Sequence, residues 1–244
     1  MWSTVVYFAH RPMWSNVVSR EECLITEAFQ VLPVEKQKAI LEAAAAEFAE
    51  HGFKGASTNR IVQTAQIGKG MLFYYFGSKL TLYHTLLDQI LELIDDYVKR
   101  MREGSEGEGF IETAWYAARV KMEAYLAHPG LLDLLARFFL HPEDAAVSEH
   151  AGAVVQRIGV LQKEMMGTLF AKADQSKFRQ DIPPERLKLY LGFIFEGYSQ
   201  HVTNVVKASG IQKASELDWK PLLAEFDGYL ADLKTIFYGE QEEA

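Results

Sequence analysis

Between Gly52 and Leu80 the chain carries four basic side chains, Lys54, Arg60, Lys69 and Lys79, and no carboxylate. The full 244 residues have a formal net charge of −8, so this stretch runs against the composition around it. Residues 35–80 hold six Lys/Arg against four Glu, whereas residues 81–244 hold 17 basic and 26 acidic residues. A positive module on an acidic body suits a protein that meets an anion at one place and avoids it elsewhere. Thr58 and Asn59 add donors for phosphate or base edges, and Phe73, Tyr74 and Phe76 bring aromatics at helical spacing. A polyanion is the partner that this chemistry fits.

Short helices must position these groups. From Pro33 onward Ile40, Ala44 and Phe48 recur at helical spacing with Leu41 beside them, and Gly52 marks the end of that helix. Ser57 stands as N-cap to a second helix over 58–65 that buries Ile61, Val62 and Ala65. Gln66-Ile67-Gly68 makes the turn, and a third helix over 69–75 is anchored by Leu72 and Phe76. Ser78 caps a long amphipathic helix running to about Arg102. In a helix-turn-helix the second helix reads the major groove while the first braces it across the backbone. Lys69 lies at the reader's N-terminal end, where the helix dipole favours phosphate. Gly70 lets the backbone approach, and Met71 can touch a thymine methyl. Tyr75 and Lys79 stand where side chains clamp phosphates.

The run Ser57-Thr-Asn-Arg-Ile-Val, then Ala65, then Ile67-Gly-Lys-Gly-Met-Leu-Phe-Tyr-Tyr-Phe-Gly-Ser-Lys79, resembles the DNA-binding signature of TetR-family transcriptional regulators over about residues 35–90. The stretch Arg179-Gln-Asp-Ile-Pro-Pro-Glu185 is similar to the entry of that family's eighth helix. The resemblance implies a homodimer whose N-terminal domains read a roughly palindromic double-stranded operator. It also implies a C-terminal domain that binds a small-molecule inducer and then releases the DNA. By position it puts DNA contacts on Thr58, Asn59, Lys69, Gly70, Met71, Phe73, Tyr75 and Lys79. Three residues depart from the family pattern: Gly68 replaces a common serine cap, Met71 a common Thr or Ser, and Phe73 a common Tyr.

The expected fold is all-α. An N-terminal three-helix helix-turn-helix DNA-binding domain spans 33–78, and a larger helical ligand-binding and dimerisation domain spans 79–244. Residues 1–32 show no sustained period and read as a poorly ordered extension. Further helices are expected near 110–128, 130–140, 147–173, 185–208 and 219–238, with the helices near 185–208 and 219–238 forming a two-fold four-helix interface. A ligand cavity is expected among the helices at 79–102, 110–128 and 147–173. Its candidate lining is Trp115, Tyr116, Arg119, Met122, Phe138, Met165, Met166 and Phe170, with Arg119 suited to an anionic ligand.

Other classes fit less well. His84 and Asp88 at i, i+4 read as a surface hydrogen bond, and His141, Glu143, Asp144 and His150 as a hydrated polar loop. Neither set has a third ligand at metal-site spacing, so no metal, cofactor or enzymatic activity is expected. Cys23 is the one cysteine, which excludes an internal disulfide. The apolar runs are too short for a membrane span, and a cytoplasmic location follows. The rival reading is an architectural or co-regulator DNA-binding protein with a filled core in place of a ligand cavity.

Overall fold

The computed structural model describes residues 26–104, 109–211 and 216–239. Ten α-helices occur among them: α1 Glu27–Gln30, α2 Val34–Gly55, α3 Thr58–Thr64, α4 Lys69–Phe76, α5 Lys79–Gly104, α6 Phe110–Ala127, α7 Pro129–Leu140, α8 Glu149–Lys172, α9 Pro184–Ser209 and α10 Lys220–Phe237. A 3-10 turn, Pro142–Val147, links α7 to α8. The all-α expectation holds, and the one β feature among the described residues is an isolated antiparallel bridge between Phe178 and Tyr238.

The packing divides the chain into two units, and not at 78/79. One unit holds the described residues up to Leu93 together with His128–Gln156; the other holds Ile94–Ala127 and the residues from Arg157 onward. The reason is α7, which makes the most extensive helix–helix contact of the described elements, and makes it with α2. Gly130, at the start of α7, lies so close to α2 that an added Cβ would stand 2.7 Å from Glu42 Oε2 and 3.2 Å from Ala45 Cβ. Glu42 in turn accepts a hydrogen bond from the Gly130 backbone, although burial is the larger effect and pushes its pKa up.

The core of the first unit starts earlier in sequence than expected. Residues 1–25 lie outside the described residues, but α1 is folded, and Phe29 is only 1% exposed. Its ring sits 4.8 Å from Phe76 and 5.6 Å from Tyr75, and Thr26 N–H donates to Tyr75 O at 3.1 Å. Gln37, buried at 2% exposure, donates from Nε2 to Gln30 O at 3.0 Å and Leu32 O at 2.8 Å, which fixes the α1–α2 turn. An aromatic at 29 is worth more covering the back of the third helix of the motif than in water, so this part of the arm folds.

In the second unit Phe110 packs against Phe170, Phe178 and Phe195, with ring centroids 5.6 to 6.3 Å apart. Met101, Leu187, Leu191, Leu230, Leu233 and Phe237 complete the core. The Tyr238 hydroxyl accepts from Ile111 N–H at 3.0 Å and donates to Glu112 Oε2 at 2.8 Å, which ties the end of α10 to the start of α6.

Replacing Phe29 by Ala removes a fully enclosed ring, and the loss expected is roughly 3 kcal/mol of unfolding free energy. Urea denaturation of the full chain checks it; a loss within experimental error would show that α1 is a passive appendage.

Candidate nucleic-acid interface

The motif is built by a few backbone and side-chain locks. Gln66 takes a positive φ of 53°, a conformation that costs a non-glycine residue about 1 kcal/mol, and Ile67 N–H closes the turn onto Val62 O at 3.0 Å. Gly68 is extended at the α4 N-cap with no side-chain cap, so the first amides of α4, at Lys69 and Gly70, are left pointing outward. Ser78 caps α5 as expected, its Oγ accepting from Thr81 N–H at 3.0 Å. Ser57 does not cap α3 with its side chain. Instead Glu47 of α2 reaches across, accepting from Ser57 N–H at 2.7 Å and from Arg60 Nε at 2.9 and 3.0 Å. Burial works to raise the Glu47 pKa, but the hydrogen bonds from Arg60 and Ser57 and the guanidinium charge outweigh it and hold the carboxyl below its ordinary range.

This network sorts the four basic residues. Arg60 is committed to Glu47, and a further bond runs from its Nη2 to Gly55 O at 3.0 Å. Lys79 is half-buried, donates to Ala56 O at 3.0 Å and lies 4.7 Å from the Phe53 ring centroid. Lys54 and Lys69 are exposed, and no partner for either occurs among the described residues.

Helix α4 turns Leu72, Tyr75 and Phe76 inward and Lys69, Gly70, Met71, Phe73 and Tyr74 outward. Met71 and Phe73 are 41% and 40% exposed, and Tyr74 is 59% exposed. Tyr75, expected on the outer face, is instead 3% exposed against Phe29. Tyr74, which was not among the expected contacts, takes the outer place. Helical spacing carries the signal for this exchange: with Leu72 and Phe76 inside, i+3 from Leu72 falls inward at Tyr75 and i+2 outward at Tyr74. Thr58 is half-buried and Asn59 exposed at the start of α3. The outward set is a convex, uncapped helix end with one free cation, an apolar Met and two aromatics, and it has no carboxylate on it.

Residues 40–86 match the model of the bacterial regulatory proteins of the tetR family. The chain is 27% identical over 186 residues to the HTH-type transcriptional repressor AcnR of Corynebacterium efficiens, covering 76% of this chain and 91% of that protein. Over 68 residues it is 43% identical to the HTH-type transcriptional regulator RutR of Escherichia coli, 28% of this chain and 32% of that one. The match to the tetR family lies on the helix-turn-helix, residues 40–86 of the 244. The fold agrees with solved TetR-family structures, among them a regulator from Chloroflexus aurantiacus (TM-score 0.55, 18% identity, covering 88% of this chain and 99% of that one). Another is the ketosteroid transcriptional regulator KstR2 of Mycobacterium tuberculosis (TM-score 0.56, 18% identity, covering 91% and 100%).

In the second unit a groove of about 420 Å³ runs between α6 and α10. Trp115, Tyr116 and Arg119 line it from α6, and Leu230, Ala231 and Lys234 from α10. The Arg119 guanidinium lies 5.4 Å from the Trp115 ring and 5.7 Å from the Tyr116 ring, with Glu123 Oε1 3.9 Å from its Nε. The other expected lining residues are not brought there. Phe170 stacks on Phe178 at 5.8 Å and Met165 packs on the same core. Phe138 is buried in the first unit, Met122 is half-buried, and the side chain of Met166 lies outside the described residues. These apolar side chains do what most Met and aromatic residues on helices do, which is fill a core.

The two polar sets meet, with the His84 and His150 rings 4.5 Å apart. Asp144 pairs with Arg137, while His150 Nε2 lies 2.9 Å from Asp88 Oδ1 and His84 Nε2 bonds Ser148 Oγ at 2.9 Å. No group of three or more His, Cys, Asp or Glu among the described residues is placed to hold a metal ion, and no described helix is long and apolar enough to cross a membrane.

Because the folded-state pKa of Glu47 lies below its unfolded value, its contribution is present above the unfolded pKa and is lost as pH falls through the folded one. Glu47→Gln is therefore expected to flatten the acid limb of the stability–pH curve below about pH 4.5. Denaturation series at several pH values read this, and parallel acid limbs for the two proteins would contradict it.

Proposed function

We propose that this TetR-family regulator is a repressor that holds a two-fold operator as a homodimer and releases it when a small anionic ligand binds. The observation that carries the reading is α4: its inward face is filled by Leu72, Tyr75 and Phe76, and its outward face presents Lys69, Gly70, Met71, Phe73 and Tyr74 with no carboxylate. Lys69 and the open amides at the helix start meet phosphate or a guanine edge, Met71 meets a thymine methyl, and the aromatics press on the backbone. Thr58 and Asn59 brace the first helix of the motif, and Lys79 fixes the following helix to it. That the relatives named above are repressors or regulators of transcription supports the same reading.

A reader eight residues long contacts too few bases for genomic specificity, so pairing of readers is a physical need. The dimer surface we assign is the outer face of α9 and α10. Leu189, Tyr190 and Phe193 are exposed in sequence register there, Phe193 at 67%, and Gly197 continues the face with open space above it. Leu223 and Ile236 add apolar surface on α10. So much exposed apolar area on neighbouring helices fits burial against a second copy. The ligand class rests on Arg119 beside the Trp115 and Tyr116 rings in the α6–α10 groove, a cation placed where an anionic group gains.

Selection of genomic fragments by the full chain is expected to return one family of palindromic sites, bound with an affinity that falls linearly in log–log plots against salt. Lys69→Ala should weaken the selected duplex on the order of tenfold without changing the melting temperature. Selection that returns no common site would overturn the reading. Phe193→Asp puts a charge into the proposed dimer face and is expected to leave a folded monomer at micromolar concentration in sedimentation; an unchanged dimer would remove α9 from the interface.

A further inference from the structure

Helix α2 breaks at Gly52, where φ is 64° and ψ is 173°. Beyond such a break the last carbonyls of a helix need donors from elsewhere. Arg137 of α7 supplies them: its Nη1 donates to Ala49 O at 3.1 Å and to Glu50 O at 3.4 Å. Its Nε is bound to Asp144 Oδ2 in the 3-10 turn, and both side chains are largely buried, at 13% and 15% exposure. A planar cation at a helix C-terminus, held by a carboxylate on its other edge, satisfies the dipole and both hydrogen-bonding directions together. Gly52 fits this arrangement twice over. Its φ lies in the left-handed region, and an added Cβ would stand 2.6 Å from Arg137 Nη2.

The chain leaving this point is the chain that enters the reader. Ala56 N–H returns to Gly52 O at 3.0 Å, Ala56 O accepts from Lys79, and Ser57 N–H is held by Glu47. Residues 52–57 therefore hand α2 over to α3 in a path fixed at each step, and Arg137 fixes its first step. We infer that Arg137, anchored by Asp144, is a positioning residue for DNA reading. It sets where α3 and α4 lie on α2 while touching no DNA itself. It stands outside residues 40–86, the part of the chain that the family model covers. The inference rests on the DNA-reading function proposed above.

The test compares affinity for the selected duplex with affinity for random-sequence DNA of equal length, well below the melting temperature. Arg137→Met keeps the apolar stem and removes the fork. It is expected to lower the specific-to-random ratio on the order of tenfold while random-DNA affinity stays within about twofold, because phosphate contacts survive a misplaced reader and base contacts do not. Arg137→Lys, which keeps the charge without the fork, should recover part of the ratio. Asp144→Ala frees the guanidinium from its anchor and should shift the ratio the same way by a smaller factor; it decides the matter alone if Arg137→Met does not fold. A wild-type ratio in the folded variants overturns the positioning role. Failure of the wild-type chain to prefer any sequence overturns the functional reading instead, so the two failures are distinct.

Discussion

The constraint on which the reading unit depends is the end of α2. A helix that carries Ile40, Ala44 and Phe48 into the core must stop and reverse within a few residues so that α3 can cross it. Stopping leaves carbonyl groups without donors and a dipole without a counter-charge. Three residues answer this, one of them distant in sequence. Gly52 supplies the left-handed backbone, Arg137 supplies the donors and the positive charge, and Glu47 holds the next amide in line at Ser57. Behind the break, Phe48, Phe53 and Tyr83 pack at 4.9 to 6.2 Å between ring centroids, so the reversal is backed by a rigid aromatic cluster. The Tyr83 hydroxyl is pushed well above the ordinary phenol range, chiefly by burial and then by the charge of Asp144, and it stays neutral.

The positive charge of the motif is smaller than a count of its residues suggests. Arg60 is paired with Glu47 at the surface, and Lys79 is spent on Ala56 O and the Phe53 ring. Two of four cations are structural. They make the frame stiff, and stiffness is what turns a basic helix into a reader: a base contact is worth something only if its donor is already in place when the groove arrives. Lys69, by contrast, is held by nothing among the described residues, which leaves a long flexible side chain free for a phosphate or a base edge.

Much of this was legible in the sequence, and the remainder fails in ways that have physical causes. Helical spacing and capping located every helix from α2 to α10 to within a few residues, because apolar period and Gly/Pro punctuation are local signals. The reader, its turn and the Ser78 cap were also visible. Tyr75 and Tyr74 were exchanged because two adjacent tyrosines are chemically alike, and only the inward anchors at Leu72 and Phe76 decide which one faces out. Glu47 and Arg137 could not be seen as partners of the motif, since the contacts span 10 and 88 residues and no local pattern announces them. The same distance hid the membership of α7 in the first unit. Phe29 was misjudged because four helical residues give too short a period to read.

The groove between α6 and α10 shows the opposite balance. Trp115, Tyr116 and Arg119 were singled out for their types, and they do line one groove, but its other wall is α10 in place of the helices expected. Sequence gives residue type and face, and the partner of a face is decided by packing. On α6 the residues at 110, 114 and 117 fill the core, so those at 115 and 119 point roughly 140° to 180° away and meet whatever helix runs alongside. That helix is α10, tied there by Lys234 to Glu112 at 2.8 Å and by Asp227 to the Trp115 indole at 3.0 Å. Burial works to raise the Glu112 pKa, but the bonds from Lys234 and Tyr238 outweigh it, so the carboxylate stays ionised and is paired with Lys234 in the groove wall. Beyond that pair the groove wall carries Arg119 beside the Trp115 and Tyr116 rings, with Glu123 Oε1 3.9 Å from its Nε.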